Sequence, residues 1–235
     1  MSRGTQSLIL LLVGLSTVVM LVKGTYLNYV KPALFPWLLA AAAVLIALGL
    51  AAIIRDLRGG EHDHEHGHRH RPWLVWLLLI PIAMIAFVVP PPLGAQGASS
   101  QAAVSAPQRR AFPPLPPGEA PTMSLPEVVM RAAADSTNSL DGRTITLTGF
   151  TVHGQDGGVD LGRVVIVCCA ADAQLARVHL TGPGAAAADG YPEDTWLQIR
   201  GRVLPGSSHP DDGFVPTFAV TDTVRIDKPK NTYAY

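Results

Sequence analysis

The chain has 235 residues, 18 basic and 18 acidic side chains, and a charged fraction of only 15%. This length accommodates a membrane section and one soluble domain of roughly 100 residues. Because there is no basic surplus, the composition excludes nucleic acid as a partner. The two cysteines are adjacent in sequence, which excludes a framework of disulfide bonds.

Residues 1–89 are predicted to be a transmembrane region. Three uncharged apolar blocks lie at residues 7–22, 33–54 and 73–89, and each is close to the length that an α-helix needs to cross a bilayer. We therefore predict three transmembrane helices. A cleaved signal peptide is the alternative for the first block, because Arg3 precedes it. We prefer a retained helix, because no small-residue cleavage site follows the block.

The distribution of basic residues around the apolar blocks predicts the topology. Loops on the cytoplasmic side carry an excess of Lys and Arg. With the N-terminus inside, five arginines lie on the cytoplasmic side and two lysines on the other. We therefore expect a multi-pass protein of the cell membrane with a cytoplasmic N-terminus and an extracellular C-terminal domain. The five arginines on the cytoplasmic side are Arg3, Arg55, Arg58, Arg69 and Arg71, and the two lysines on the other side are Lys23 and Lys31.

A histidine-rich loop at 61–70 lies between the second and third blocks, on the predicted cytoplasmic side. Its histidines alternate with acidic residues, and imidazole together with carboxylate suits zinc or another divalent metal. The candidate ligands are His62, His64, His66, His68 and His70. We interpret the loop as a flexible chelator without fixed geometry. The alternative is a solvated polar loop with no ligand.

The next two segments differ in composition. Residues 90–121 are rich in Pro and Ala and have no apolar periodicity, which predicts a disordered linker acting as a semi-extended tether. Residues 122–235 are predicted to form a small all-β domain. Ser124 is placed to cap a helix at the start of that domain.

Five strand-like runs follow, bounded by Gly, Pro and Asp, and the last has a break near Asp222. They are residues 143–153, 163–169, 175–181, 195–204 and 214–226. Short strands with interior glycines predict an OB-like barrel in which Gly149 and Gly201 form bends or bulges. A β-sandwich is the alternative fold.

The most compact motif of the domain is Cys168-Cys169-Ala170-Ala171-Asp172. We place the cysteines at the end of the second strand, where one thiol would enter the core and the other would face outward. Three interpretations remain open. The pair fills space in the core, it forms a redox or vicinal-disulfide element, or it binds a metal or substrate with Asp172, with or without one of the strand histidines His153 and His179. Asp172 could equally cap a turn.

The chain resembles the YcgQ-like family of uncharacterised bacterial membrane proteins. The resemblance rests on residues 164–174, 194–203 and the aromatic terminus 229–235, and it extends to the N-terminal spans and the histidine loop. Members are typically encoded beside a multi-span permease and are proposed to work with it. The resemblance therefore implies a two-component membrane transporter of undetermined substrate, and zinc or other metal supply has been suggested for relatives.

These observations favour a non-enzymatic accessory subunit of a bacterial membrane permease that handles a divalent metal or a metal complex. No nucleophile elbow, phosphate-binding loop, HExxH helix or dinucleotide fingerprint occurs in the sequence. The expected partners are the membrane and a multi-span permease subunit. An exported thiol-redox or stress-sensing module is the first alternative. A tethered structural or binding domain without a small ligand is the second.

Overall fold

The chain divides after Pro91 into two units. The computed structural model describes residues 3–58, 92–95, 108–154 and 157–234. The first unit contains two long helices, α1 (Arg3–Lys23) and α2 (Phe35–Arg58). Both are long and apolar enough to cross a membrane, as predicted from the first two apolar blocks. The predicted third helix and the histidine loop lie outside the described residues.

Helices α1 and α2 pack closely because glycines lie in their interface. A Cβ atom added to Gly14 would lie 2.7 Å from Ile46 Cγ1, and one added to Gly49 would lie 2.7 Å from Leu11 Cγ. Small residues at such positions allow two helix backbones to approach. Much of the remaining apolar surface is exposed, including Val22 at 82% and Trp37 at 72%. This exposure suits helices that are surrounded by lipid or by other apolar helices.

The second unit contains five strands and two helices. The strands are β1 (Ile145–His153), β2 (Val159–Val165), β3 (Gln174–Thr181), β4 (Trp196–Val203) and β5 (Thr217–Arg225). They form a closed barrel in the order β1-β2-β3-β5-β4. Strands β3 and β5 are parallel and the other neighbours are antiparallel, so the sheet is mixed.

Helix α3 (Leu125–Ala134) precedes the barrel and packs its buried face against the barrel core. Ser124 is its N-cap residue, as predicted, although its side chain makes no capping hydrogen bond. Leu125 and Val128 are almost fully buried and belong to the same apolar cluster as the inward residues of the strands. The helix is amphipathic, because its buried residues recur at intervals of three.

The turn after α3 is organised by the buried carboxylate of Asp135. This carboxylate accepts hydrogen bonds from the backbone N–H and the hydroxyl of Thr137 and from the backbone N–H of Ser139, at 2.7–2.9 Å. Burial raises the pKa of Asp135, but the hydrogen bonds from Ser139 and Thr137 outweigh it and lower the pKa well below its ordinary value. The ionised carboxylate is therefore a structural part of this turn.

Strand β2 differs from its predicted bounds of 163–169 at both ends. It begins earlier, because Asp160 is held by an ion pair with Arg177 at 3.1 Å, and Gly162 fits closely beside Val152 and Phe150. It ends at Val165, four residues before the predicted end. The cysteines therefore do not lie on a strand, and the prediction that one thiol enters the core and the other faces outward is wrong.

The remaining strands lie near their predicted positions, and one helix was not predicted. The break expected near Asp222 is a bulge within β5, opposite the register shift between Arg200 and Gly201. Gly201 lies at this bulge, and Gly149 packs closely against Gly162 of β2. Helix α4 (Pro183–Asp189) connects β3 to β4, and we made no prediction for it.

Parts of the predicted linker contact the barrel domain instead of remaining free of it. The backbone of Arg110 bonds to that of Ala134 and Ser136 at the end of α3, and Pro121 accepts a hydrogen bond from the backbone of Thr146 in β1. These contacts use main-chain groups that the helix end and the strand start leave unpaired. A proline-rich segment can therefore be ordered without an apolar pattern of its own.

Candidate metal site at the cysteine turn

The β2–β3 hairpin ends in a turn of residues 166–173, which we call the cysteine turn. The chain leaves the strand ladder here because Asp172 binds three successive backbone N–H groups. Its Oδ1 accepts from Val167 at 2.8 Å, and its Oδ2 accepts from Cys168 at 2.8 Å and from Cys169 at 3.2 Å. Residues Ala170–Asp172 form a single turn of 3-10 helix. Asp172 is therefore the residue that shapes the turn.

This arrangement brings the two thiols together near the surface. The Sγ atoms of Cys168 and Cys169 are 3.7 Å apart and both thiols are free. Cys168 is exposed and Cys169 is partly exposed. Within the described part of the chain, Cys168, Cys169 and Asp172 form the group whose ligand atoms all lie within 4.8 Å of one another. The interpretation of the pair as core filler is therefore wrong for Cys168.

The electrostatics of the turn couple the thiols to the carboxylate. The hydrogen bond between Cys168 and Asp172 raises the pKa of the Cys168 thiol to about 11, with a further contribution from the Cys169 thiol. The same hydrogen bond, together with the backbone N–H groups, lowers the pKa of Asp172 to about 2. At neutral pH the turn therefore holds an ionised carboxylate beside a protonated thiol. Such a thiol is a weak nucleophile, because the thiolate is the reactive form.

The spacing of the sulfur atoms fits a metal ion bound between them. Zinc–thiolate bonds are about 2.3 Å long, and two such bonds at the tetrahedral angle place their sulfur atoms about 3.8 Å apart. The observed 3.7 Å matches this separation. A disulfide would need sulfur atoms about 2.05 Å apart. The reduced pair, in which the Cys168 thiol donates a hydrogen bond to the Cys169 sulfur, thus has a sulfur–sulfur distance close to the one that two thiolates need on one metal.

Asp172 can contribute little more than one further bond to such a metal. A carboxylate has about four acceptor positions, and backbone N–H groups already use three of them. The Cys168 thiol also hydrogen-bonds this carboxylate, so a further bond to a metal becomes available once the thiol has lost its proton. Two thiolates and one carboxylate oxygen leave at least one position of a tetrahedral ion open. Structural zinc sites are closed by four protein ligands, whereas sites that exchange a ligand keep a position open.

The two strand histidines lie apart from this group and face other carboxylates. His179 Nδ1 is 2.9 Å from Asp160 Oδ1, and His153 Nε2 is 3.9 Å from Asp189 Oδ1. Neither belongs to the group of ligand atoms around Cys168. The structure therefore does not support the predicted involvement of a strand histidine. The five histidines of the loop at 61–70 lie outside the described residues.

A cleft of about 330 Å³ adjoins the foot of the cysteine hairpin and was not predicted. It is lined by residues of α3, by β3 and by the loop before β5, including Met130, Leu175, Arg177 and Phe214. Phe214 has a φ of 60°, which is rare for a bulky side chain. No pattern in the sequence marks this cleft, because its walls come from α3, from the adjoining ends of β2 and β3, and from the loop before β5.

Comparison with known proteins places these features in a family. The chain combines an N-terminal pair of apolar helices with a C-terminal mixed five-stranded domain that carries a surface dithiol. Residues 5–103 match the DUF1980 N-terminal domain, and residues 127–235 match the DUF1980 C-terminal domain. The chain thus carries both domains of DUF1980, an uncharacterised family, and belongs to it. No curated protein and no solved structure matches this chain.

Proposed function

We propose that the cysteine turn binds a thiophilic divalent metal such as zinc through the thiolates of Cys168 and Cys169. The observation that carries this proposal is the 3.7 Å separation of the two sulfur atoms, which is close to the roughly 3.8 Å expected in a tetrahedral zinc dithiolate. Asp172 supports the site by holding the backbone of both cysteines. Binding would release thiol protons, so the affinity should rise with pH.

The open coordination favours metal handling over a structural role. Among the residues that the structure describes, three donor atoms converge at the turn, and Cys168 is exposed. A further ligand from water, a small molecule or a partner protein can therefore reach the ion. The barrel is closed and its main apolar core does not include the cysteine turn, so a metal at the turn would not be part of that core. These properties suit a site that receives an ion and passes it on.

The apolar N-terminal helices suggest that the proposed metal site belongs to a membrane transport system. We propose that the chain is a non-enzymatic accessory subunit of a multi-span permease, as the family resemblance implies. Three spans would anchor it, with the histidine loop in the cytoplasm and the β domain outside. Strand order β1-β2-β3-β5-β4 in a closed barrel supports an OB-like assignment for that domain. The histidine loop would buffer the same metal on the inner side.

A thiol-redox module is the second candidate, and one observation favours it. The two thiols are adjacent and an exported domain would experience oxidising conditions. The raised pKa of Cys168 argues against it, because redox-active cysteines have lowered pKa values that stabilise the thiolate. Metal binding agrees better with this environment, since a bound cation would offset the repulsion between the Cys168 thiolate and the Asp172 carboxylate that contributes to the raised pKa.

The direct test is zinc titration of the full chain in lipid nanodiscs, with a chromophoric chelator as competitor. The parent protein for this test carries glutamine at all five loop histidines, so that the loop contributes no ligands. We expect one zinc per chain, and at least about 100-fold weaker binding in Cys168→Ser and in Cys169→Ser. Asp189→Asn is a matched control at a surface carboxylate outside the turn and should bind zinc like the parent.

Two outcomes would contradict the proposal. Equal zinc binding in the parent and in both serine variants would place the metal elsewhere. No zinc binding to the reduced parent at pH 8 would remove metal handling from the β domain. The permease pairing has a separate test, in which deletion of either gene should produce the same metal phenotype. Different phenotypes would contradict the pairing and leave the binding site unaffected.

A further inference from the structure

The C-terminal tail, residues 227–234, folds back over the outside of the barrel and is called the strap below. Tyr233 is only 1% exposed and is among the largest fully buried side chains. Ala234 forms a parallel bridge with Val165, in which its N–H donates to Val164 O at 2.9 Å. The strap thus pairs with β2 through a single bridge, and its Tyr233 covers an apolar cluster that includes Phe150, Val164 and Trp196.

Arg163 of β2 forms hydrogen bonds to backbone carbonyl groups of the strap. Its Nη2 donates to Asn231 O at 2.9 Å and to Tyr233 O at 3.5 Å, while its Nη1 reaches Thr148 O at 3.4 Å. The guanidinium carbon lies 5.2 Å from the centroid of the Trp196 ring. Charge-assisted hydrogen bonds of this kind are stronger than neutral ones. The strap is therefore fastened by an arginine as well as by apolar burial.

The strap also binds the segment that follows the third apolar block of the sequence. The backbone N–H of Leu93 donates to the Tyr233 hydroxyl at 2.8 Å, and the N–H of Ala95 donates to Asp194 Oδ1 at 2.9 Å. A Cβ atom at Gly94 would lie 2.5 Å from the same carboxylate oxygen. Residues 92–95 therefore dock in a defined position, which depends on Tyr233.

The cysteine turn contacts the strap in two ways, through a backbone hydrogen bond and through a shared apolar cluster. Ile166, at the start of the turn, donates its N–H to Ala234 O at 3.1 Å. Ile166 and Ala173, at the two ends of the turn, belong to the same apolar cluster as Tyr233, and Leu93 packs against that cluster. A shift of the turn would therefore disturb the strap, and a shift of the strap would disturb residues 92–95.

We infer that the strap couples the state of the cysteine turn to the docking of residues 92–95. An ion that fixes the turn would stabilise the Ile166–Ala234 pairing, and Tyr233 would then retain Leu93. If the turn lost its order, the Ile166–Ala234 pairing would weaken first and the Tyr233–Leu93 hydrogen bond would weaken next. The role of the ion rests on the proposed function, whereas the coupling itself rests only on these contacts. Two sites are coupled in this sense when a change at one alters the free energy of the other.

Amide hydrogen exchange of the full chain in nanodiscs tests the coupling. Asp172→Asn weakens the anchor of the turn and keeps its size, and we expect faster exchange at residues 166–169, at Ala234 and at residues 93–95, by at least about tenfold. Tyr233→Phe removes only the hydroxyl and should accelerate exchange at residues 93–95 without changing β1. Thr223→Val is the matched control, since its hydroxyl bonds Gly184 O at 2.9 Å on α4, away from the strap.

The outcomes separate this inference from the proposed metal function. Faster exchange at residues 166–169 in Asp172→Asn, with residues 93–95 and Ala234 unchanged, overturns the coupling. In a second arm, one equivalent of zinc should slow exchange at residues 93–95 in the parent. If zinc binds and leaves that segment unchanged, the coupling fails and the metal site stands. If zinc does not bind, the metal function fails and Asp172→Asn still decides the coupling.

Discussion

Two turns of the β domain are each organised by an aspartate carboxylate that accepts three hydrogen bonds, but the two carboxylates differ in burial and in neighbouring groups. Asp135 accepts three hydrogen bonds from Thr137 and Ser139, and Asp172 accepts three from Val167, Cys168 and Cys169. The first carboxylate is 5% exposed and supports the end of a core helix. The second is partly exposed and supports two thiols. A carboxylate can thus stabilise a fold or position reactive groups, and its burial and neighbours decide which.

The largest expected effect on stability is at the buried turn. Asp135→Ala removes a buried acceptor and leaves the N–H and hydroxyl donors of Thr137 and the N–H of Ser139 to water. We expect a loss of about 2 kcal/mol in the free energy of unfolding. Chemical denaturation followed by tryptophan fluorescence measures this loss. Asp172→Ala, at the more exposed turn, should lower the stability much less. Equal losses in the two variants would contradict the distinction between the turns.

The next largest effect concerns the reactivity of Cys168, which should depend on Asp172 and not on Asp135. Asp172→Asn removes the charge that raises the pKa of this thiol from 9.0 to about 11. At pH 8 the thiolate fraction should then increase by up to about 100-fold, and alkylation by iodoacetamide should accelerate accordingly. Mass spectrometry of the metal-free protein measures the rate at each cysteine. If Asp135→Asn accelerated the reaction equally, the effect would not come from the turn.

The smallest effect is the pH dependence that Asp135 contributes to stability. Its pKa is lowered in the folded state, so its contribution is present above the ordinary pKa of 3.8 and is lost as the pH falls through the folded value. Between pH 7 and pH 3 we expect the wild-type protein to lose about 1 kcal/mol that Asp135→Asn does not lose. Unfolding curves at the two pH values measure the difference. A constant difference between the two proteins would show that the folded pKa is not lowered.

The sequence predicts the regular parts of the β domain well, for a physical reason. Strand β1 alternates apolar and polar residues, as a sheet with one buried face requires, and β4 repeats this pattern. The prediction of β2 fails where Gly162 and Asp160 resemble residues that end strands. Gly162 fits there because Val152 and Phe150 occupy the space of its missing side chain. Such compensation is tertiary and leaves no local signal.

The sequence predicts that the two cysteines and Asp172 share a site, but it places the cysteines on a strand and not in a turn. The sequence places Cys168, Cys169 and Asp172 within five residues, which suggests a shared site. It does not show that Asp172 would bind three backbone N–H groups and turn the chain away from the strand. The role of Tyr233 was missed as well, although the aromatic terminus helped to define the family resemblance. Its partner Leu93 is 140 residues away in the chain, and no sequence period reports such a contact.

The most direct test of the central claim is the ligand shell of zinc bound at the cysteine turn. X-ray absorption at the zinc edge counts the sulfur atoms around the metal and gives their distance. The sample is the full chain in nanodiscs, with glutamine at the five loop histidines and one equivalent of zinc. We predict two sulfur atoms at about 2.3 Å, with oxygen completing the shell. A shell of oxygen and nitrogen alone would contradict the claim that the turn of Asp172 exists to present two thiols to a metal.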